Sequence, residues 1–168
     1  MMPDPNEFAF NECVRDAQED RQYAYFRVTS EQLLGELENR LEMTPIRFWN
    51  RGDLVERRGR KFRRQESSLQ FESGLKESET LTSHILTLLE KLEQNAEVLR
   101  SLDDRFRCAI VCVSHNAQSM GLSLNSDVLR QISDLDLGLE FDLYGLTDPH
   151  DALVEARSLM ALQSGETN

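Results

Sequence analysis

Apolar residues alternate with larger polar and aromatic residues between Gln22 and Val28, and this period of two predicts a β-strand with one buried face. Thr29 and Gln32 then fit a capping box, in which each side chain bonds an orphan backbone N–H, so a helix is predicted to begin at Thr29. Its apolar face recurs at helical spacing and consists of Leu33, Leu34, Leu37 and Leu41. Pro45 ends this helix.

Two strands are predicted on either side of a turn that contains Gly52 and Gly59. The first covers Arg47–Asn50 and the second covers Lys61–Phe71, and together they form a hairpin with a long loop.

The longest periodic segment runs from Leu81 to Leu99, where apolar residues recur every three or four positions. This spacing predicts one amphipathic helix, with Ser78 as its cap. The run from Phe106 to Val113 is nearly all apolar, which is typical of a strand covered on both faces in the middle of a sheet.

Four further elements complete the pattern. Alternation predicts a short strand over Met120–Leu124 and a last, half-buried strand over Leu139–Tyr144. Between them, Asn125 caps a third helix that extends to Leu135, and residues 148–163 form a short terminal helix.

The predicted fold class is therefore α+β, with two layers: a mostly antiparallel sheet and helices on one face, because the outer strands alternate as if covered on one side only. The predicted order is β-α-β-β-α-β-β-α-β plus the C-terminal helix. Residues 1–21 are interpreted as an acidic lead-in, 22–147 as a single domain and 148–168 as a helix and tail.

Composition places the chain among ordinary globular proteins, with 39% hydrophobic and 29% charged residues in 168 positions. The longest apolar run is too short to cross a bilayer, and the N-terminus lacks the pattern of a signal peptide. Three cysteines without CxxC spacing agree with a reducing compartment. We therefore expect a cytoplasmic protein without membrane contact.

No catalytic or cofactor-binding motif emerges from the sequence. The three histidines lack metal-ligand spacing, and the glycines are isolated instead of forming a phosphate-binding loop. His115, just past the apolar strand, is the best candidate for an active group, against the alternative of a turn histidine bonded to nearby backbone. The expectation is a protein that is not an enzyme and uses no cofactor or metal.

Charge is segregated along the chain. The net charge is −11, yet the segment Arg47–Arg64 holds eight basic residues and two acidic ones. Two candidate surfaces follow. The acidic candidate consists of Glu90, Glu93, Glu97, Asp134, Asp136, Glu140 and Asp142. The basic candidate consists of Trp49, Arg51, Arg57, Arg58, Arg60 and Arg63, continued by Lys61 and Arg64.

The two surfaces favour different partners. An excess of carboxylates argues against nucleic acid as the main ligand, because a phosphate backbone is repelled. The arginines suit phosphates or an acidic protein, unless they pair with the chain's own acids. A homodimer is left open.

The order of elements resembles the domain of unknown function 4279 family over residues 22–145. The resemblance rests on Tyr25–Val28 before a capped helix, Thr44-Pro45, the stretch Phe48-Trp49-Asn50-Arg51-Gly52-Asp53, and the basic strand, leucine-rich helix and apolar strand that follow. The resemblance implies a small bacterial cytosolic protein. It also implies an immunity-type role, since some members neighbour polymorphic toxin genes, and it brings no catalytic residues.

The functional expectation is a non-enzymatic protein that binds another protein. In this hypothesis it is an immunity or antitoxin-like inhibitor, and its acidic surface covers the basic cleft of a nuclease-type toxin. The alternative is a small-ligand-binding or regulatory module with a pocket between the sheet and the helices.

Overall fold

The computed structural model describes residues 20–116 and 121–145. Within these ranges the chain forms seven strands and four helices, which confirms the α+β class. The strands are β1 (Arg21–Ser30), β2 (Arg47–Trp49), β3 (Leu54–Arg57), β4 (Arg60–Arg63), β5 (Ser67–Glu72), β6 (Phe106–Asn116) and β7 (Gly138–Gly145). The helices are α1 (Gly35–Arg40), α2 (Leu81–Glu93), α3 (Ala96–Arg100) and α4 (Ser126–Asp134).

Chain contacts divide the protein into two compact units. One unit comprises Arg21–Ser114 with Gly121–Leu143, and it holds the sheet core and the surfaces discussed below. The other unit is described only at a few positions, among them His115 and Tyr144. The predicted N-terminal lead-in and the predicted helix over 148–163 lie outside the described residues. No helix in the described ranges is long and apolar enough to span a bilayer.

Five strands form the main sheet in the order β2-β5-β1-β6-β7. Both β1 and β2 pair antiparallel with β5, and Phe26 lies opposite Phe71 across the β1–β5 ladder. β3 and β4 form a separate antiparallel pair. The prediction of a mostly antiparallel sheet is confirmed.

The core lies between one face of this sheet and α2. Ala24, Phe26 and Val28 of β1 are buried, and the rings of Phe26 and Phe71 stack with centroids 6.0 Å apart. α2 packs against β1 and contacts both α3 and α4. Its buried residues are Leu81, His84, Ile85, Leu88, Leu89 and Leu92. Each fully buried leucine contributes about 1.5–3 kcal/mol to the free energy of unfolding. β6 is buried from Ala109 to Ser114, which confirms its predicted place inside the sheet.

The predicted helix start at Thr29 is wrong. Thr29 and Ser30 belong to β1, where they pair with Ser68 and Ser67 of β5 and are buried. A complete strand ladder satisfies the backbone of these residues, so the capping-box pattern is not used. The helix begins instead at Gly35, and Leu33, predicted to be buried, is 71% exposed.

The long-loop hairpin between Arg47–Asn50 and Lys61–Phe71 is also wrong. β2 pairs with β5, and the intervening segment folds into its own hairpin, β3–β4. The predicted second strand is thus divided between β4 and β5.

The predicted helix from Leu81 to Leu99 is two helices. It is capped by Thr80, whose side chain accepts from the Ser83 N–H, and not by Ser78. The break falls at Asn95, which is buried and bonds in two directions: its Nδ2 donates to the Lys91 carbonyl at 2.9 Å and its Oδ1 accepts from the Glu42 N–H at 2.8 Å.

Three outcomes concern the end of the described chain. The third helix is confirmed, because the Asn125 side chain accepts from the Val128 N–H at 2.9 Å. The strand over Met120–Leu124 is not observed, since residues 121–125 have no regular structure and Met120 lies outside the described residues. β7 is a strand, but Phe141 and Leu143 are 45% and 63% exposed, so its predicted buried face is absent.

Candidate functional site: an arginine hairpin

The β3–β4 hairpin turns through Arg58 and Gly59, which have φ angles of 52° and 70°. Positive φ at both central residues is the geometry that matches the twist of a two-residue hairpin. Gly59 adopts it without steric cost, whereas it is uncommon for an arginine. The turn places Arg57 directly opposite Arg60.

The register of the hairpin sorts its side chains onto two faces. Val55 lies opposite Phe62, and because residues two apart on a strand share a face, Arg57 and Arg60 lie on the same side as this apolar pair. The other face carries Leu54, Glu56, Lys61 and Arg63. All four residues of β4 are exposed.

A cleft of about 660 Å³ lies between β2 and the hairpin. Its lining combines aliphatic and aromatic side chains with three arginines: Ile46, Arg47, Phe48, Trp49, Val55, Arg57, Phe62 and Arg64. No carboxylate lines it. The guanidinium carbon of Arg64 lies over the Trp49 ring, 4.2 Å from its centroid. We call this the arginine cleft.

The hairpin charges are not neutralised by the acids that the structure describes. Among described residues, the ion pairs are Arg21–Glu77, Arg27–Glu140, Arg51–Glu31, Arg105–Asp103, Arg107–Glu66 and Arg130–Asp127. Of the predicted basic set, only Arg51 takes part in one of them. Arg63 bonds a backbone carbonyl, that of Gly52. Pairing with the chain's own acids, the alternative weighed from sequence, is therefore seen for Arg51 and for no other member of the set among residues 20–116 and 121–145.

Arg51 does not line the arginine cleft and lies in a different one. That cleft, of about 470 Å³, is lined by Ser30, Glu31, Gln32, Arg51, Asp104, Arg105 and Arg107. Each of its three arginines pairs with a carboxylate: Arg51 with Glu31, Arg105 with Asp103, and Arg107 with Glu66. An added anion would have to compete with these carboxylates.

The seven predicted acidic residues do not come together on one face. Glu90, Glu93 and Glu97 are exposed on α2 and α3, which belong to the helical layer. Asp134 and Asp136 are exposed at the end of α4 and in the turn after it.

Glu140 and Asp142 lie on the opposite side of the sheet. Arg27 projects from β1 on the face opposite Phe26, and its Nη2 is 2.6 Å from Oε2 of Glu140. Asp142 shares this face, two residues further along β7. Burial raises the pKa of Tyr25, Arg27 opposes the rise, and Asp142 and Glu140 add to it. The acidic residues thus form separate groups, one of them partly neutralised by Arg27.

Among the described residues, the cysteines and His115 are held in ways that do not favour reactivity. Burial raises the pKa of both Cys108 and Cys112 to about 12, so both thiols stay protonated. The His115 ring stacks on Tyr144, with centroids 4.5 Å apart. No group of three His, Cys, Asp or Glu suited to a metal ion occurs in the described ranges.

The sequence prediction named most of the hairpin cations but not the apolar half of the cleft. Phe48, Val55 and Phe62 join the arginines because β2 and the hairpin stand side by side, which depends on the pairing of β2 with β5. One local signal was available: the alternation of residues on both sides of Arg58-Gly59 is typical of a short hairpin.

The fold and this surface define an α+β domain with a projecting arginine hairpin and no recognisable catalytic centre among the described residues. The family model described as Domain of unknown function (DUF4279) matches residues 20–146. The chain belongs to the DUF4279 family. Neither a curated protein nor a solved structure matches it.

Proposed function

We propose that this chain works by binding another protein, and that the arginine hairpin is the surface that docks. The observation that carries the proposal is the set of exposed cations on β3, the turn and β4: Arg57, Arg58, Arg60 and Lys61 make no ion pair with any carboxylate in residues 20–116 and 121–145. Such a set repels itself, and an acidic partner relieves the repulsion.

The composition of the surface favours a protein partner over nucleic acid. Arginine and tryptophan are enriched at the energetic centres of protein interfaces, and Phe62 is 43% exposed beside the hairpin arginines. The net charge of −11 repels a long polyphosphate, whereas a short acidic segment contacts only the hairpin.

The inhibitor hypothesis, in which the acidic residues cover a basic toxin, is a second form of the same proposal. It is supported by the net charge and by the exposure of Glu90, Glu93 and Glu97. It is weakened by the separation of these residues from Glu140 and Asp142.

The small-ligand alternative has less support. A cleft of about 460 Å³ lies between the end of α2 and the end of β5. Its one lysine, Lys91, donates one hydrogen bond to the Ser73 carbonyl at 2.7 Å. Two carboxylates, Glu42 and Glu72, line the same cleft and would repel an anionic ligand.

The docking surface can be tested by site-specific photo-crosslinking in the cells that produce the protein. A photoreactive residue at Lys61 probes the hairpin, and one at Glu93 probes the acidic side of the helical layer. We expect a discrete crosslinked protein from Lys61, whose attached peptide is rich in Asp and Glu. The double variant R57E/R60E should abolish it, and R100E, a single charge reversal on α3, should not.

Other outcomes decide between docking through the arginine hairpin and docking through the acidic residues. A crosslink from Glu93 to a basic segment, unaffected by R57E/R60E, supports the inhibitor hypothesis and contradicts hairpin docking. Crosslinks that do not weaken with added salt contradict both, because exposed charge pairs are screened by salt.

A further inference from the structure

Arg64 is held in place at both its backbone and its side chain. Its N–H donates to the Asp53 carbonyl and its carbonyl accepts from the Gly52 N–H, each at 2.9 Å. Its guanidinium rests on the Trp49 ring. An arginine fixed in this way loses little conformational freedom when it binds, so its affinity for a ligand is correspondingly higher.

The donors of Arg64 are nevertheless unused. A guanidinium carries five N–H donors, and none bonds an acceptor among the described residues. Nε is buried and has no hydrogen-bond partner there, so a ligand can reach only the two Nη groups. An arginine placed with its donors unpaired is the arrangement that binds a carboxylate through two parallel hydrogen bonds.

The surroundings of Arg64 narrow the ligand further. Arg47 and Arg57 line the same cleft, and Phe48, Val55 and Phe62 supply an apolar wall. A ligand that carries a negatively charged group next to an apolar one is therefore complementary to the lining of the cleft.

We infer that the arginine cleft seats one Asp or Glu side chain of the acidic partner on Arg64, with a neighbouring apolar side chain of that partner against Phe62. This inference rests on the proposed function, because it specifies what the hairpin partner inserts. A nucleotide fits less well, since Arg64 already covers one face of Trp49, and base recognition on single strands relies on open aromatic faces.

Trp49 is the single tryptophan of the chain, so its fluorescence in the full-length protein reports on this cleft. The probe is a 12-residue peptide that alternates Glu with Leu and Phe, titrated by fluorescence and, independently, by calorimetry. The matched peptide carries Gln for Glu. Inorganic phosphate and a single-stranded oligothymidine form the remaining arms.

We expect saturable binding of the acidic peptide, weakened at least roughly tenfold by R64Q. R64K should weaken it comparably, because a lysine keeps the charge but lacks the planar fork. R100Q, a charge loss on α3 outside the cleft, should leave affinity unchanged. Circular dichroism checks that each variant folds, and R64K carries the test if R64Q does not.

Several results would overturn the inference: no heat and no fluorescence change at about 1 mM peptide, equal affinity for the Gln peptide, unchanged binding by R64K, or tighter binding of phosphate or the oligonucleotide. The two proposals fail separately. If R57E/R60E abolishes peptide binding and R64K does not, the hairpin docks but Arg64 is not the seat. If the peptide binds through Arg64 while the Lys61 crosslink is absent, the cleft stands and the docking proposal falls.

Discussion

The hydroxyl oxygen of Ser73 lies 2.6 Å from Nδ1 of His84, and both residues are buried where the end of β5 meets α2. Burial lowers the pKa of His84 below its ordinary value of 6.5, although the Lys76 carbonyl, Glu79, the Gln22 carbonyl and Glu77 oppose this. The neutral ring is therefore the form that the core accommodates.

The first prediction concerns the pH dependence of stability. Because the folded protein binds a proton at His84 less readily than the unfolded chain does, this residue's contribution is fully present above pH 6.5 and is lost as the pH falls through its lowered pKa. Urea unfolding from pH 7.5 to 5 should show a declining free energy of unfolding, and H84Q should flatten the decline. An unchanged slope in H84Q would contradict the prediction.

The second prediction concerns Asn95. N95A removes two part-buried hydrogen bonds and leaves the Glu42 N–H and the Lys91 carbonyl without these partners. We expect a loss of roughly 2–4 kcal/mol in the free energy of unfolding. The matched control is N39A, because Asn39 makes one exposed bond at 3.3 Å and should cost about 0.5 kcal/mol or less. Equal losses in the two variants would show that Asn95 does not join the helix break to the preceding loop.

The third prediction compares two phenylalanines, each of which lies in a strand that was predicted from an alternation of apolar and polar residues. Phe26 is fully buried against Phe71, whereas Phe141 on β7 is 45% exposed. F26A should lower the free energy of unfolding by about 3–5 kcal/mol. F141A should lower it by no more than about 1 kcal/mol. A large loss in F141A would indicate that β7 is covered in solution.

The fourth prediction concerns thiol reactivity. Since burial raises the pKa of Cys108 and Cys112 to about 12, few thiolates form near pH 8, and iodoacetamide should leave both residues unmodified in the folded protein. Peptide mass spectrometry after alkylation, with and without denaturing urea, measures this. Rapid native modification of Cys112, which is fully buried, would require an open form of the sheet.

The candidate site shows where sequence reasoning stops. The density of arginines between Arg47 and Arg64 is visible in the sequence. Whether each arginine forms an ion pair is not, because that depends on which carboxylates lie close to it in the folded protein. Arg27 forms an ion pair with Glu140, which is 113 positions away in the sequence. Arg51 forms an ion pair with Glu31, outside the hairpin. Neither contact leaves a local pattern.

Local sequence signals were sufficient to predict those elements whose conformation is not altered by contacts with residues distant in sequence. The alternation in β1, the apolar run of β6 and the Asn125 cap of α4 each predicted the right element, because side-chain period and capping act within a few residues. The α+β class followed from the same signals.

Tertiary contacts decided the rest. β1 continues through Thr29 and Ser30 because β5 is there to pair with them, α2 ends where Asn95 bonds back to Glu42, and β2 leaves the hairpin to join β5. In each case a bond to a residue distant in sequence outweighed a local preference worth about 1 kcal/mol. The arginine cleft depends on tertiary structure too, since the pairing of β2 with β5 fixes where Phe48 and Trp49 lie beside the hairpin.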